Sequence, residues 1–220
     1  MQRPKNIFEL GCGYGCVSTI IGQALKENKK GKLYCVDNQA DWINLKENLK
    51  KIGENYNTYD DYFNYLINKF NLKDFVEYKN FTIDFDKNNS FHIDEPIDIL
   101  FYDAHDSGPK GCVQFLSFYL LKMSEYSDIF IDRASTVNYS FLMLEYIVNN
   151  LQKGKIPKIL LDNKTREEIN YLHYFVNKSK FTLVHLAESP ENKVNQLQNS
   201  TAWIKIEPLD IIIGNNVKNY

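Results

Sequence analysis

Short apolar runs alternate with longer amphipathic stretches along most of the chain. Ile7–Leu10, Leu33–Val36, Phe75–Tyr78, Ile97–Tyr102 and Ile129–Ile131 read as strands. Four of them are almost wholly apolar, as a parallel sheet covered on both faces requires; Phe75–Tyr78, broken by Glu77, is less clean. Between them, Val17–Leu25, Trp42–Ile52, Tyr59–Phe70, Val113–Met123 and Val137–Leu151 carry apolar residues at helical spacing. Such alternation predicts right-handed crossovers and an open, doubly wound sheet.

The last quarter breaks the pattern. Thr165–Val176 reads as a helix, and Phe181–Leu186 and Ala202–Ile206 read as two strands joined by a polar loop containing Pro190. Two strands with no helix between them predict an antiparallel hairpin at the sheet edge. The expected fold is therefore α/β and Rossmann-like: a mostly parallel, seven-stranded sheet with a C-terminal antiparallel hairpin. No repeat or low-complexity linker appears, so residues 1–220 are expected to form a single domain.

Composition narrows the function classes. A formal net charge of -2 gives no basic footprint for nucleic acid and no polybasic membrane patch. The Lys-rich pieces Lys26–Lys32 and Lys46–Lys51 read as solvated helix ends. No apolar run is long enough to span a bilayer, and no signal peptide is visible. Cys12, Cys16, Cys35 and Cys112 form no CxxC pair and have no His at zinc-site spacing. Cys12, Cys35 and Cys112 lie in or beside apolar stretches and read as buried free thiols. A reducing, cytoplasmic location follows as the expectation.

The strongest local signal is Ile7-Phe8-Glu9-Leu10-Gly11-Cys12-Gly13-Tyr14-Gly15. It follows a strand and opens a helix. Glycine permits a tight turn and close approach of a ligand to the main chain, and the helix N-terminus directs unsatisfied N–H groups at the same place. A dinucleotide fingerprint would read GxGxxG; here the pattern is GxGxG after Glu9. The acid suits an ammonium group, reached directly or through water. Glu9–Gly15 resembles the first motif of the class I S-adenosylmethionine-dependent methyltransferases, E/DxGxGxG. That resemblance implies S-adenosylmethionine as cofactor, S-adenosylhomocysteine as product, and a loop of Glu9, Gly11, Cys12, Gly13, Tyr14 and Gly15 around the ligand. It also implies that Asp37, ending Leu33–Val36, holds the ribose hydroxyls with Asn38 beside it. The competing role for Asp37 is the N-cap of the next helix.

The remaining strand ends extend the resemblance. Phe81 or Ile83 would lie against the adenine, with Thr82 or Asp84 at its polar edge; Phe81 and Thr82 are the preferred register. Asp103-Ala104-His105-Asp106-Ser107 resembles the fourth-strand motif of small-molecule O-methyltransferases, with the usual order of Asp and His reversed. Asp103 falls at the cofactor. His105 beside Asp106 has the composition of a general base with its orienting carboxylate; capping a helix or ordering a loop are the alternatives. Related metal-dependent enzymes place a divalent cation between carboxylates at the positions of Asp103 and Asp132. Here Arg133 follows Asp132, which disfavours the metal and favours an ion pair if the chain turns there. No metal ligand is therefore assigned.

His92, His173 and His185 read as surface or satisfied core residues, and Trp42 and Trp203 as packing residues. Asn55–Phe70, with Tyr56, Tyr59, Tyr62 and Tyr65, reads first as an amphipathic helix over the sheet and second as an aromatic wall for the acceptor. The chain reaches its first strand almost at once. It is expected to lack the N-terminal helices that often cover the acceptor pocket in related enzymes, which leaves that task to another subunit, as in a homo-oligomer, or to this insert. Methyl transfer to a small-molecule acceptor, at a hydroxyl, is the leading expectation. The alternatives are a non-catalytic or differently reacting S-adenosylmethionine-binding protein and an NAD-type oxidoreductase. Nucleic-acid methylation fits poorly, since no NPPY-like tetrad follows the fourth strand.

Overall fold

Seven strands pair into one sheet: β1 (Asn6–Leu10), β2 (Lys32–Asp37), β3 (Val76–Asn80), β4 (Ile97–Tyr102), β5 (Met123–Asp132), β6 (Ser179–Ala187) and β7 (Ser200–Pro208). The computed structural model describes residues 4–85, 89–103, 108–134, 139–187 and 200–209. The order is β3-β2-β1-β4-β5-β7-β6. β1 to β5 pair in parallel, while β7 runs antiparallel to both β5 and β6. The chain therefore reverses direction across the sheet between β1 and β4, the switch point where open α/β sheets leave a crevice at the strand carboxyl ends. The doubly wound, mostly parallel sheet with its terminal antiparallel pair is the expected fold.

Six helices cover the described sheet: α1 (Cys16–Asn28), α2 (Trp42–Lys51), α3 (Tyr59–Lys69), α4 (Pro109–Tyr119), α5 (Ser140–Leu151) and α6 (Arg166–Lys178). Alternation along β1 sends Phe8 and Leu10 to one face and Ile7 and Glu9 to the other. Phe8 and Leu10 join Val36 in a core with Phe115 and Leu116 of α4, Leu144 of α5 and Phe175 of α6. Ile7 joins Leu33 and Cys35 in a second core with Leu25 of α1, Leu45 of α2 and Phe63 of α3. Each such large side chain, once buried, contributes roughly 1.5–3 kcal/mol. Capping boxes start α3 at Thr58 with Asp61 and α6 at Thr165 with Glu168.

Two elements differ most from the sequence expectation. The fourth βα helix was expected over Val113–Met123 but runs Pro109–Tyr119. Pro109 at its first turn has the φ a helix start needs and no N–H to lose. A 3-10 turn at Leu120–Lys122 then feeds β5 directly. β5 was expected only over Ile129–Ile131 but extends from Met123 to Asp132. Its polar stretch Ser124–Asp128 lacks a strand's apolar signature, and β7 supplies the pairing from Ser127↔Ile206 to Asp132↔Thr201. Among the described residues, no helix is long and apolar enough to cross a membrane.

Candidate functional site

The glycine turn is built from left-handed backbone. Gly11, Gly13 and Gly15 have φ of 90°, 48° and 69°. That region costs a residue with a Cβ about 1–2 kcal/mol, so the residue type and the turn agree. The three glycines then divide the work. A Cβ on Gly15 would meet Leu66 Cδ1 at 3.0 Å and Phe63 Cε2 at 3.3 Å, so this glycine lets α3 approach the loop. A Cβ on Gly13 would meet nothing within 4 Å. Gly13 faces a cavity of about 470 Å³ at the carboxyl ends of β1, β2 and β4.

Asp37 organises this turn. Its Oδ2 accepts from the Cys12 N–H at 2.8 Å and from the Gly13 N–H at 3.4 Å, and its Oδ1 accepts from the Gln39 N–H at 2.6 Å. The N-cap of α2 is Asp41, so Asp37 is not the capping residue that the alternative reading made it. A carboxylate has about four acceptor sites, and three backbone donors leave roughly one for a ligand. From the other side, the Tyr59 hydroxyl donates to the Gly13 carbonyl at 3.0 Å and the Tyr62 hydroxyl to the Tyr14 carbonyl at 2.8 Å. Burial pushes the Tyr59 hydroxyl well above its ordinary pKa, with the neighbouring Cys12 thiol and Asp37 carboxylate acting in the same direction, so it remains a donor. The tyrosine-rich insert is thus both the amphipathic cover of the second core and the clamp on the glycine turn. Local sequence gives its helical spacing but not the destination of its hydroxyls.

Of the residues singled out from sequence, the cavity brings together Gly11, Gly13, Asp37, Asn38, Phe81, Thr82 and Asp103. Ile83 and Asp84, the alternatives to Phe81 and Thr82, also line it. The Phe81 N–H donates to the Asp37 carbonyl at 3.0 Å, which ties the third strand end to the second. Cys12, Tyr14 and Gly15 belong to the turn but do not line the cavity. Cys12 is buried beneath it, and the Tyr14 hydroxyl accepts from Asn48 at 2.9 Å. Gln39, Trp42, Phe85 and Gln114 line the cavity although sequence reasoning gave them no ligand role, and Tyr59 lines it from the insert read second as an aromatic wall. Trp42 stacks on Tyr62 at 6.2 Å, so its packing role and its place in the wall coincide. Gln114 sits among the apolar positions of α4, and nothing in the local pattern distinguishes it.

Glu9 lies under the turn rather than in the cavity. It is 3% exposed and accepts from Ser18 Oγ at 2.5 Å and from Cys35 Sγ at 3.4 Å. Burial pushes its carboxyl up to about 7, against the lowering effect of those two hydrogen bonds. Cys12, Cys35 and Cys112 are buried free thiols, as their apolar settings suggested.

Asp103 and Asp132 end adjacent strands, since Tyr102 is in register with Ile131. The chain leaves strand geometry at Arg133, whose φ is 55°, and Arg133 Nε lies 3.6 Å from Asp132 Oδ2. Thr201 Oγ1 donates to Asp132 Oδ1 at 3.5 Å. Of the two geometries left open at this point, the turned one is present. His105 and Asp106 lie outside the described residues. His185 departs from the satisfied-core expectation: its ring stacks on Phe141 at 3.9 Å, and Nε2 has no hydrogen-bond partner among the described residues. Trp203 is a packing residue with its polar atom satisfied, Nε1 donating to Asp128 at 2.8 Å.

Residues 8–132, more than half of the chain, match a family model described as a methyltransferase domain. No curated protein matches. Similar solved structures include a Klebsiella pneumoniae protein described as an O-methyltransferase, 11% identical, with 93% of this chain and 74% of that one covered and a TM-score of 0.49. An O-methyltransferase from Bacillus cereus in complex with S-adenosylhomocysteine is 14% identical, with coverage of 93% and 74% and a TM-score of 0.46. A Streptococcus mutans protein described as a methyltransferase, also with S-adenosylhomocysteine, is 12% identical, with coverage of 94% and 90% and a TM-score of 0.47.

Proposed function

The chain belongs to this methyltransferase-domain family, and from that premise we propose that it transfers the methyl group of S-adenosylmethionine to the hydroxyl of a small-molecule acceptor. The observation that carries this reading is the open space in front of Gly13, beside the Asp37 carboxylate and inside a cavity of about 470 Å³. The cavity suits a nucleoside joined to an amino acid, and the bare backbone of Gly11 and Gly13 lets such a ligand approach closely. When bound, the cofactor supplies a methyl group on a sulfonium sulfur.

In this reading Asp37 has one remaining acceptor site for a ribose hydroxyl, with Asn38 beside it. Phe81 packs against the adenine and Thr82 meets its polar edge. Asp103, at the end of β4, takes the amino-acid part. Glu9, Cys12, Tyr14 and Gly15 act from beneath or within the turn by fixing its shape. Attack on a methyl group needs in-line positioning and removal of the acceptor proton. We assign that proton to His105, with Asp106 orienting the imidazole. The reading treats the 220 residues as one domain acting in the cytoplasm, alone or as a homo-oligomer, with no nucleic-acid partner.

The test is calorimetry and thermal denaturation with S-adenosylhomocysteine, and with NAD as the contrast. A ligand that binds only the folded state stabilises it by about 2.7 kcal/mol at a hundredfold excess over Kd. A chain of this size should then melt roughly 5–10 °C higher. No binding at millimolar S-adenosylhomocysteine by well-folded protein, or preferential binding of NAD, would remove the proposal. Tight binding without turnover over a broad panel of hydroxylated acceptors would favour a non-catalytic binding protein.

A further inference from the structure

Arg133 is the only cationic side chain among the described residues that line the cavity; Asp37, Asp41, Asp84 and Asp103 also line it. One guanidinium in a wall whose other charged residues are all acidic marks a local reversal of charge. Its position separates it from the cofactor half. The glycine turn leaves β1, and Arg133 leaves β5, with β4 between them. Two inter-strand steps amount to about 10 Å. The residues assigned to ribose and adenine lie farther away still, at the ends of β2 and β3.

The backbone turns at this residue. Arg133 has φ of 55°, the left-handed region that a residue with a Cβ enters at a cost, and it does so on the first residue after β5. Among the described residues its ionic partner is Asp132, reached through Nε at 3.6 Å. That is longer than the roughly 2.7–2.9 Å of a charge-assisted hydrogen bond, so the pair orients the guanidinium without closing a bidentate fork. Asp132 is in turn held by Thr201 from β7. Nε carries one of the five guanidinium donors, and the other four sit on the two terminal nitrogens. The side chain is 42% exposed, so a ligand can reach it from the cavity.

We propose that Arg133 recognises an oxyanion on the methyl acceptor, so that the substrates are hydroxylated small molecules bearing a carboxylate or a phosphate. The proposal rests on the methyl-transfer reading. A planar fork of donors matches either oxyanion in a way an ammonium would not. The oxyanion fixed at β5 would leave the acceptor hydroxyl to reach back toward the end of β4.

The chain has three arginines, Arg3, Arg133 and Arg166, so a ¹⁵N correlation spectrum of the Nε–H groups is simple, and Arg133→Lys identifies the signal of interest. The probes are benzoate, phenyl phosphate and the neutral benzamide, titrated into the full chain with and without saturating S-adenosylhomocysteine. Benzoate or phenyl phosphate should move the Arg133 signal saturably while Arg3 and Arg166 stay in place, and the stronger of the two identifies the oxyanion. Benzamide should leave the signal unmoved. Arg133→Gln should weaken the anion by about tenfold or more, as expected for a lost charged hydrogen bond. The proposal is overturned if neither anion moves the signal, if benzamide moves it equally, or if all three arginines respond alike. It is also overturned if S-adenosylhomocysteine alone saturates the signal and anions add nothing, which would assign Arg133 to the cofactor carboxylate. Failure of S-adenosylhomocysteine to bind, read separately by calorimetry, would count against methyl transfer, and the arm without it still tests the anion site.

Discussion

Replacing Glu9 by Gln should abolish a pH dependence of stability that the fold itself creates. Glu9 is buried between Ser18 and Cys35, and burial moves its carboxyl from 4.5 to about 7. That displacement corresponds to about 3 kcal/mol of preference for the protonated form in the folded state. The raised value fixes the sign. Below about pH 4.5 the carboxyl is protonated in both states, and its contribution is fully present. As pH rises, the unfolded chain ionises first while the folded chain keeps its proton, so stability declines until pH passes about 7. Gln keeps an oxygen for the Ser18 hydroxyl and cannot ionise. Urea unfolding followed by the fluorescence of Trp42 and Trp203 should therefore give similar stabilities for the two proteins near pH 4.5. By pH 8, Glu9→Gln should be more stable by roughly 3 kcal/mol, a difference that isolates this one group from the other titrations. Parallel pH profiles for wild type and variant would refute the reasoning. Calorimetry on the same variant should find S-adenosylhomocysteine affinity near that of wild type, because Glu9 does not line the cavity. A loss of tenfold or more, about 1.4 kcal/mol, would mean that Glu9 reaches the ligand, as the ammonium role read from sequence would have it.

Gly13→Val should fold but lose S-adenosylhomocysteine binding by calorimetry. A new Cβ at Gly13 meets nothing within 4 Å, and the φ of 48° costs roughly 1–2 kcal/mol, whereas the side chain occupies the ligand's space. Asp37→Ala should lower both stability and affinity. It strips the Cys12 and Gln39 N–H groups of their acceptor, at about 1.5–3 kcal/mol for a hydrogen bond to a charged group, and affinity should fall by a similar 1–3 kcal/mol. Unchanged melting temperature and unchanged affinity together would remove Asp37 from the site.

Much of the fold was legible because its signals are local. Strand runs and helical spacing fix where backbone hydrogen bonds close, and the seven strands and six helices of the described residues each overlap a segment that the pattern marks. The glycine turn was legible for the same reason: three left-handed positions in five residues favour glycine through their own backbone geometry. Asp37 was found by its place at the end of β2, although its bonds to the turn's own N–H groups could not be read there. β5 was underestimated because its polar half has no apolar signature and is held by long-range partners, β4 at Met123 and Asp128 and β7 from Ser127 onward, the latter some seventy residues away.

What the sequence determined by itself is therefore the set of elements, the turn that a ligand can approach and the acid that ends the second strand, each specified by spacing within a few residues. Only the tertiary structure decided the rest. It put Glu9 under the turn, because strand alternation and α1 close over that face. It turned Tyr59 and Tyr62 into anchors for the loop carbonyls, because α3 packs where Gly15 has no side chain. It brought Arg133 to the same cavity as Asp37, because sheet order rather than chain order sets which strand ends are neighbours.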